Sequence, residues 1–218
     1  MAVESKPLAE APVRRARGRP RTEDLEALEV RLVQVARQCF IDKGYGATSM
    51  SEVARLARVS KTTLYSRFPS KADLFRGILD DQIRRSGGGF HLPGPRPKAL
   101  ETVLRGYAEH MLQESLHSDI LHLNRLIVSE AERFPELGEA AHARGQIGID
   151  QVAEYIRDYA ETEHIPCREP SDAAEIFIAL LRGWYSGAML RSRAVSAAEI
   201  RAWIRRMLPI FLASRSAW

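Results

Sequence analysis

Residues 45–75 read YGATSMSEVARLARVSKTTLYSRFPSKADLF, and the punctuation of that stretch decides how the front of the chain folds. Thr48 or Ser49 is placed to cap a short helix through Glu52, Val53 and Leu56, because a short hydroxyl accepts from an amide that the first helical turn leaves unpaired. Ser60 can cap a second short helix over Lys61–Arg67, Pro69 closes it, and Ser70 opens another with Leu74, Phe75, Ile78, Leu79 and Ile83. Only Ala57-Arg58-Val59-Ser60 separates the first two. Two short capped helices so close together have the dimensions of a helix-turn-helix. Its first helix braces on the sugar-phosphate backbone, and the start of the second enters the major groove. Val53, Leu56, Val59, Leu64 and Phe68 form the expected inward face. Lys61, Thr62, Thr63 and Tyr65 are expected to point outward, offering short hydroxyls to base edges and a cation and a phenol to phosphates. Many helical hairpins mimic this pattern, so the remainder of the chain has to decide.

Upstream, Leu25, Leu28, Leu32, Val35, Cys39 and Phe40 recur at helical spacing and predict a helix from about Thr22 to Lys43, ended by Gly44-Tyr45-Gly46. Residues 1–22 hold Pro7, Pro12, Gly18 and Pro20 without an apolar period, which reads as a flexible basic arm. Gly87-Gly88-Gly89 with Pro93, Pro95 and Pro97 makes the strongest break in the chain. The expected organisation is an arm (1–22), a helix-turn-helix domain with its connecting helix (23–85), a linker (86–97) and a larger helical domain (98–218). In that domain the periodicity predicts helices over 98–115 and 120–131, a short one over Glu136–Arg144 opened by Pro135, and a separate one around Ile149–Tyr159. Ser171 or Asp172 then caps a helix to about Arg191, and Ser196 caps the last, which Pro209 should kink or end early. No segment reads as a strand. The fold class is all-α, a three-helix helix-turn-helix domain followed by a larger helical domain.

Composition narrows the function. The chain has 218 residues, 45% apolar and 28% charged, as in an ordinary globular protein. The longest aliphatic and aromatic run, Ile176–Leu181, is far short of the ~20 residues that span a bilayer. No apolar segment near the start resembles a secretory signal. Cys39 and Cys167 stand far apart, so a disulfide scaffold is not expected, and the expected setting is cytoplasmic with no membrane partner. The six histidines show no zinc-binding spacing, and neither a phosphate-cradling glycine loop nor a nucleophile elbow is present. No metal, no cofactor and no catalytic residue is expected. Charge is uneven: residues 1–85 carry 17 Lys and Arg against 11 Asp and Glu, and the remainder 15 against 17. A basic front end points to a polyanion. Within it, residues 14–21, RRARGRPR, hold five arginines and no acid. Arg17-Gly18-Arg19-Pro20 is similar to an AT-hook core, with Arg17 and Arg19 suited to a narrow A·T-rich minor groove. The plain alternative is a solubilising tail.

Residues 45–75 resemble the DNA-binding signature of the TetR family of bacterial transcription regulators. The matching features are Gly46 and Thr48, Val53-Ala54, Val59-Ser60-Lys61, Leu64-Tyr65, Phe68 and Lys71. Ile127–Gly138, IVSEAERFPELG, is similar to the regulatory domain of the AefR-like subgroup. The chain departs from the commonest pattern at Arg58, often a glycine, and at Arg67, often a histidine. Arg58 in the turn implies a tolerated side chain or mild strain.

The resemblance implies a homodimeric, ligand-responsive repressor on a palindromic double-stranded operator. Thr48 or Ser49 would hold a phosphate, helped by the helix dipole. Lys61, Thr62 and Thr63 would face bases or adjacent phosphates, Tyr65 would donate to a phosphate, and Lys71 would pair with another. Ser49 and Ser60 have the alternative of serving only as N-caps. Family members dimerise through their last two long helices, which implies an interface of Ala179, Leu180, Gly183 and Gly187 with Trp203, Ile204, Met207 and Phe211. Tyr107, Met111, Leu126, Phe134, Tyr155, Phe177 and Trp184 become candidates for lining a cavity for an apolar or aromatic effector, with Asn124 and Arg125 either orienting a polar or anionic ligand group or reaching solvent. Plain core packing is the alternative for each. The helix over Ser70–Arg85 is expected to carry the signal between domains. A competing reading keeps the helix-turn-helix but makes the chain an effector-independent architectural or protein-partner regulator.

Overall fold

The computed structural model describes residues 22–85, 99–191 and 193–218. Among them the chain forms nine α-helices and no strand: α1 (Thr22–Ala47), α2 (Met50–Leu56), α3 (Lys61–Arg67), α4 (Lys71–Arg85), α5 (Leu100–Leu116), α6 (Ser118–Glu130), α7 (Pro135–Thr162), α8 (Pro170–Met189) and α9 (Ala197–Ala213). A single 3-10 turn, Ser214–Ala217, follows α9. The basic arm with Arg17 and Arg19, the linker 86–97 and the side chain of Thr22 lie outside the described residues.

The front of the chain follows its local signals. Gly44 breaks the regular run of α1 with φ 82° and ψ 163°, a conformation costly for any residue with a Cβ. The Ser49 hydroxyl accepts from the Glu52 amide at 3.2 Å, and the Ser60 hydroxyl accepts from the Thr63 amide at 3.0 Å. Between them, α2 ends in a Schellman turn: the Val59 amide donates to Ala54 O and the Arg58 amide to Arg55 O. That turn needs a left-handed residue, and Arg58 occupies the position at φ 55°, which is the strain its departure from glycine implies.

The second half departs from expectation in three places. The two helices expected over 136–144 and 149–159 are one continuous helix, α7, which runs straight through Gly145 and Gly148. Neither Ser171 nor Asp172 caps α8; the N-cap is Glu169, with no side-chain cap bond. Pro209 lies inside α9 without ending it. The start of α9 is as expected, with Ser196 and Glu199 forming a capping box. Arg193 and Ser196 together hold the Glu199 carboxyl down to about 2.

Two apolar cores organise the packing. The larger joins α5, α7, α8 and α9 through Leu104, Leu112, Val152, Ile156, Phe177, Leu181, Ile204 and Leu208. The other centres on Phe40, Tyr45 and Phe75, whose rings meet at 5.2–6.0 Å, a spacing that adds about 0.5–1.5 kcal/mol per pair beyond burial. This front core does not stop at the domain boundary: Leu123 of α6 and Leu137 and Ala140 of α7 are part of it. Arg37 of α1 pairs with Asp119 of α6 at 3.5 Å across the same seam. No described helix is long and apolar enough to cross a membrane.

Candidate nucleic-acid interface and the cavity behind it

The helix-turn-helix buries Val53, Leu64 and Phe68 and half-buries Val59, while Leu56, expected inside, stays exposed. On α3 the outward residues are Lys61, Thr62 and Tyr65, the last 45% exposed. Thr63 is half-buried, and its hydroxyl lies 2.7 Å from the Ser60 hydroxyl, so it belongs to the helix cap as much as to the outer face. Ser49 is exposed and caps α2. Three further cations, Arg55, Arg58 and Arg67, are exposed around this surface and had not been singled out as contacts. A count finds them: from Val53 to Ala72 the chain holds five Lys and Arg and no acid.

Two expected phosphate ligands have other work. Thr48 is 2% exposed, and its hydroxyl donates to Cys39 O at 3.1 Å and Gly44 O at 2.9 Å. Thr48 thereby ties the end of α1 together across the break at Gly44. Lys71 Nζ donates to Tyr45 O at 2.8 Å, Thr48 O at 3.2 Å and Gly46 O at 3.5 Å. It stands 4.4 Å from the centre of the Tyr45 ring, and burial pulls its pKa below the usual lysine value. Lys71 is therefore a brace between the start of α4 and the end of α1. The same corner receives the second domain: the Tyr45 hydroxyl donates to Glu136 Oε1 at 3.1 Å, and the Tyr45 and Phe134 rings meet edge-on at 5.0 Å. Thus α4 is not alone in linking the domains.

Behind this unit lies a cavity of about 420 Å³ between α4, α5, α6, α7 and α8, within the ~300–1,000 Å³ typical of small-molecule sites. Tyr107, Met111 and Asn124 line it as expected candidates, joined by Leu79, Ile127, Arg144, Ile178, Arg182, Tyr185 and Met189. The other six candidates do not line it. Arg125 donates to Met189 O at 2.8 Å, tying α6 to the end of α8. Leu126 and Phe134 pack on the front core. Tyr155 and Phe177 are buried in the rear core, and Trp184 stacks on Trp203 with ring centres 5.2 Å apart. Burial pushes the Tyr185 phenol up to about 12, so it stays a neutral donor near pH 7. A second hollow of about 440 Å³ lies between the start of α5 and the end of α9. It borders neither α4 nor α6, so it has no direct contact with the front domain.

The expected interface residues divide cleanly. Ala179, Leu180, Gly183 and Gly187 are exposed along α8, and among the described residues nothing outside its own helix backbone lies within 4 Å of a Cβ added at either glycine. In contrast, Ile204, Met207 and Phe211 are buried in the subunit's own core, and Trp203 is half-buried in its stack. The three buried residues face away from a second chain because α9 turns its apolar face inward, onto α5. The exposed apolar residues that were missed are Ile176, at 56%, and Ile210, at 75%.

Comparison with known proteins agrees with this architecture. Residues 32–78 match the family model for bacterial regulatory proteins of the tetR family, and residues 102–214 match the C-terminal domain of AefR-like transcriptional repressors. The DNA-binding transcriptional repressor TetR of Mycobacteroides abscessus is 31% identical over 169 residues, 69% of this chain and 88% of that protein. The regulator AcrR of Shigella flexneri is 25% identical over 173 residues, 75% of this chain and 78% of its own. Among solved structures, the flavonoid-responsive regulator FrrA superposes with a TM-score of 0.72 at 27% identity, covering 87% of this chain and 97% of that one. The helix-turn-helix, the helical body behind it and these matches carry one conclusion: the chain belongs to the TetR family and is a DNA-binding transcriptional regulator, not an enzyme.

Proposed function

We propose that the protein is a cytoplasmic homodimeric repressor that holds a palindromic operator with its two α3 helices and releases it when a small molecule fills the α4–α8 cavity. One observation carries the reading: Leu79 of α4 and Ile127 of α6 each belong to the front core and to the cavity wall. A ligand that displaces either side chain strains the packing beneath the helix-turn-helix. Packed cores respond by shifting between discrete arrangements rather than deforming smoothly. Half-sites on one DNA face repeat at ~34–36 Å or multiples of it, so a small change in the separation of the two α3 helices opposes simultaneous docking. The exposed face of α8, with Ile176, Leu180 and its two glycines, is the proposed contact between subunits. FrrA, named for its response to flavonoids, supports an aromatic occupant for a cavity of this kind.

Selection of duplexes from a random pool by the purified protein is expected to return an inverted repeat. A thermal-shift panel of small aromatic and aliphatic compounds then tests release. A compound that stabilises the native state by mass action must weaken operator binding by the same factor by which operator weakens its own. Equal compound affinity for free and operator-bound protein overturns the release mechanism. A palindrome bound tightly while the whole panel leaves Tm unchanged favours the effector-independent regulator instead.

The contacts to DNA have separate signatures. Lys61→Ala should weaken binding to every sequence and lower the salt slope by about one unit. Thr62→Ala should change base preference at one operator position with little change in that slope. Titrations against salt and against single-base operator variants measure both, and unchanged values in both variants would move the recognition surface off α3.

A further inference from the structure

The cavity wall holds two arginines, Arg144 of α7 and Arg182 of α8, and no aspartate or glutamate among the described residues that line it. Neither arginine takes part in an ion pair among the described residues. Asp80 and Glu114 act on Arg144 electrostatically. Arg144 is half-buried, and burial lowers its pKa. A guanidinium stays charged even so, and a charge withdrawn from water without a partner is destabilising until one arrives.

The backbone of α7 is cleared around this spot. A Cβ at Gly145 would overlap the Arg182 guanidinium, and one at Gly148 would lie 2.6 Å from the Tyr107 hydroxyl. Each glycine costs a helix interior roughly 1 kcal/mol relative to alanine, yet two face one cavity in the middle of α7. Tyr107 feels the charge of both arginines, and Tyr185 feels that of Arg144. Two guanidiniums and two phenols thus line one cavity, beside the apolar Leu79, Met111, Ile127 and Ile178 and the polar Asn124 and His142.

We propose that the effector is an apolar molecule bearing a carboxylate, held by Arg144 in the wall and covered by Arg182 at the rim. This rests on the reading of the cavity as the effector site. The planar guanidinium fork matches a carboxylate through two parallel hydrogen bonds, and burial of the remaining body is left to Leu79, Met111, Ile127 and Ile178.

Calorimetry on the full-length protein tests it with 4-phenylbutyrate and decanoate, each beside its primary amide, which keeps the shape and loses the charge. The acids are expected to bind tighter than their amides by about tenfold or more, the scale of one charge-assisted hydrogen bond. Arg144→Gln should erase that preference, Arg144→Lys should keep part of it, and Met111→Trp should block acids and amides alike. Without any ligand, Arg144→Met should raise Tm, because it removes a half-buried charge that forms no ion pair among the described residues. Acids and amides that bind equally, unaffected by Arg144→Gln but blocked by Met111→Trp, overturn the carboxylate and leave the cavity as the effector site. Binding that survives Met111→Trp, or no binding by any of the four probes, overturns both. A Tm lowered by several degrees in Arg144→Met makes the arginine a structural strut and overturns the proposal.

Discussion

Gly183→Leu should leave each subunit folded and abolish tight operator binding. Among the described residues, nothing outside its own helix backbone lies within 4 Å of a Cβ at this position, so the larger side chain starts into open space. Leucine also favours the helix over glycine by roughly 0.8–1 kcal/mol. Any loss must therefore arise outside the subunit. The surface around it carries Ile176 and Leu180, both exposed, and contiguous exposed apolar residues mark a place where another surface docks. In the proposed dimer, a bulky residue in the stripe holds two α8 helices apart. With the dimer goes the second half-site, whose tethering strengthens binding by about 10²–10⁴-fold without adding a new kind of contact. Light scattering should report a monomer with unchanged helical content, and operator titration should report the corresponding fall in affinity. Gly183→Ala, small enough for close approach, should retain both. A normal dimer with normal operator affinity in Gly183→Leu would remove α8 from the interface and leave the exposed Ile210 of α9 as the place to look.

What the sequence discloses depends on how local the deciding interaction is. Ser49 and Ser60 bond to amides three residues away, and Arg58 takes its left-handed conformation within a six-residue turn. All three are legible from a short window, and the helix-turn-helix follows from them. Gly145 and Gly148 mislead for the complementary reason. Within a window they read as a helix end, but the room they leave is for Arg182 of α8 and Tyr107 of α5, neither of which a window contains. The effector residues are hardest of all. Periodicity says that Tyr107, Tyr155 and Phe177 point inward, yet only Tyr107 meets empty space. A cavity is a shortfall of volume shared by five helices, and no single helix records it. Lys71 and Thr48 fail in a further way: their type and position fit a phosphate, but backbone carbonyls at the end of α1 and just beyond it take their hydrogen bonds.

Lys71→Met carries the second large effect, and it separates a brace from a DNA contact. Methionine keeps most of the stem and removes the ammonium. The carbonyls of Tyr45 and Thr48 then lose the donor at 2.8 and 3.2 Å, and the Tyr45 ring loses the cation above its face. Removing a charged donor from acceptors it alone satisfies costs about 1–3 kcal/mol. At roughly 2–4 °C per kcal/mol for a chain of this size, Tm should fall by several degrees. A phosphate contact predicts a different pair of results: a lower salt slope with stability intact. Measured well below both transitions, the salt slope of Lys71→Met should therefore match that of the unaltered protein, whereas Lys61→Ala should lose about one unit. The same substitution should also blunt the response to any cavity ligand, because Lys71 joins α4 to the corner where Phe134 and Glu136 of the second domain meet Tyr45. With that joint loosened, α4 can shift without carrying the end of α1 along. A slope lowered by one unit at unchanged Tm would return Lys71 to the operator and make its place over the Tyr45 ring a resting position of the DNA-free protein.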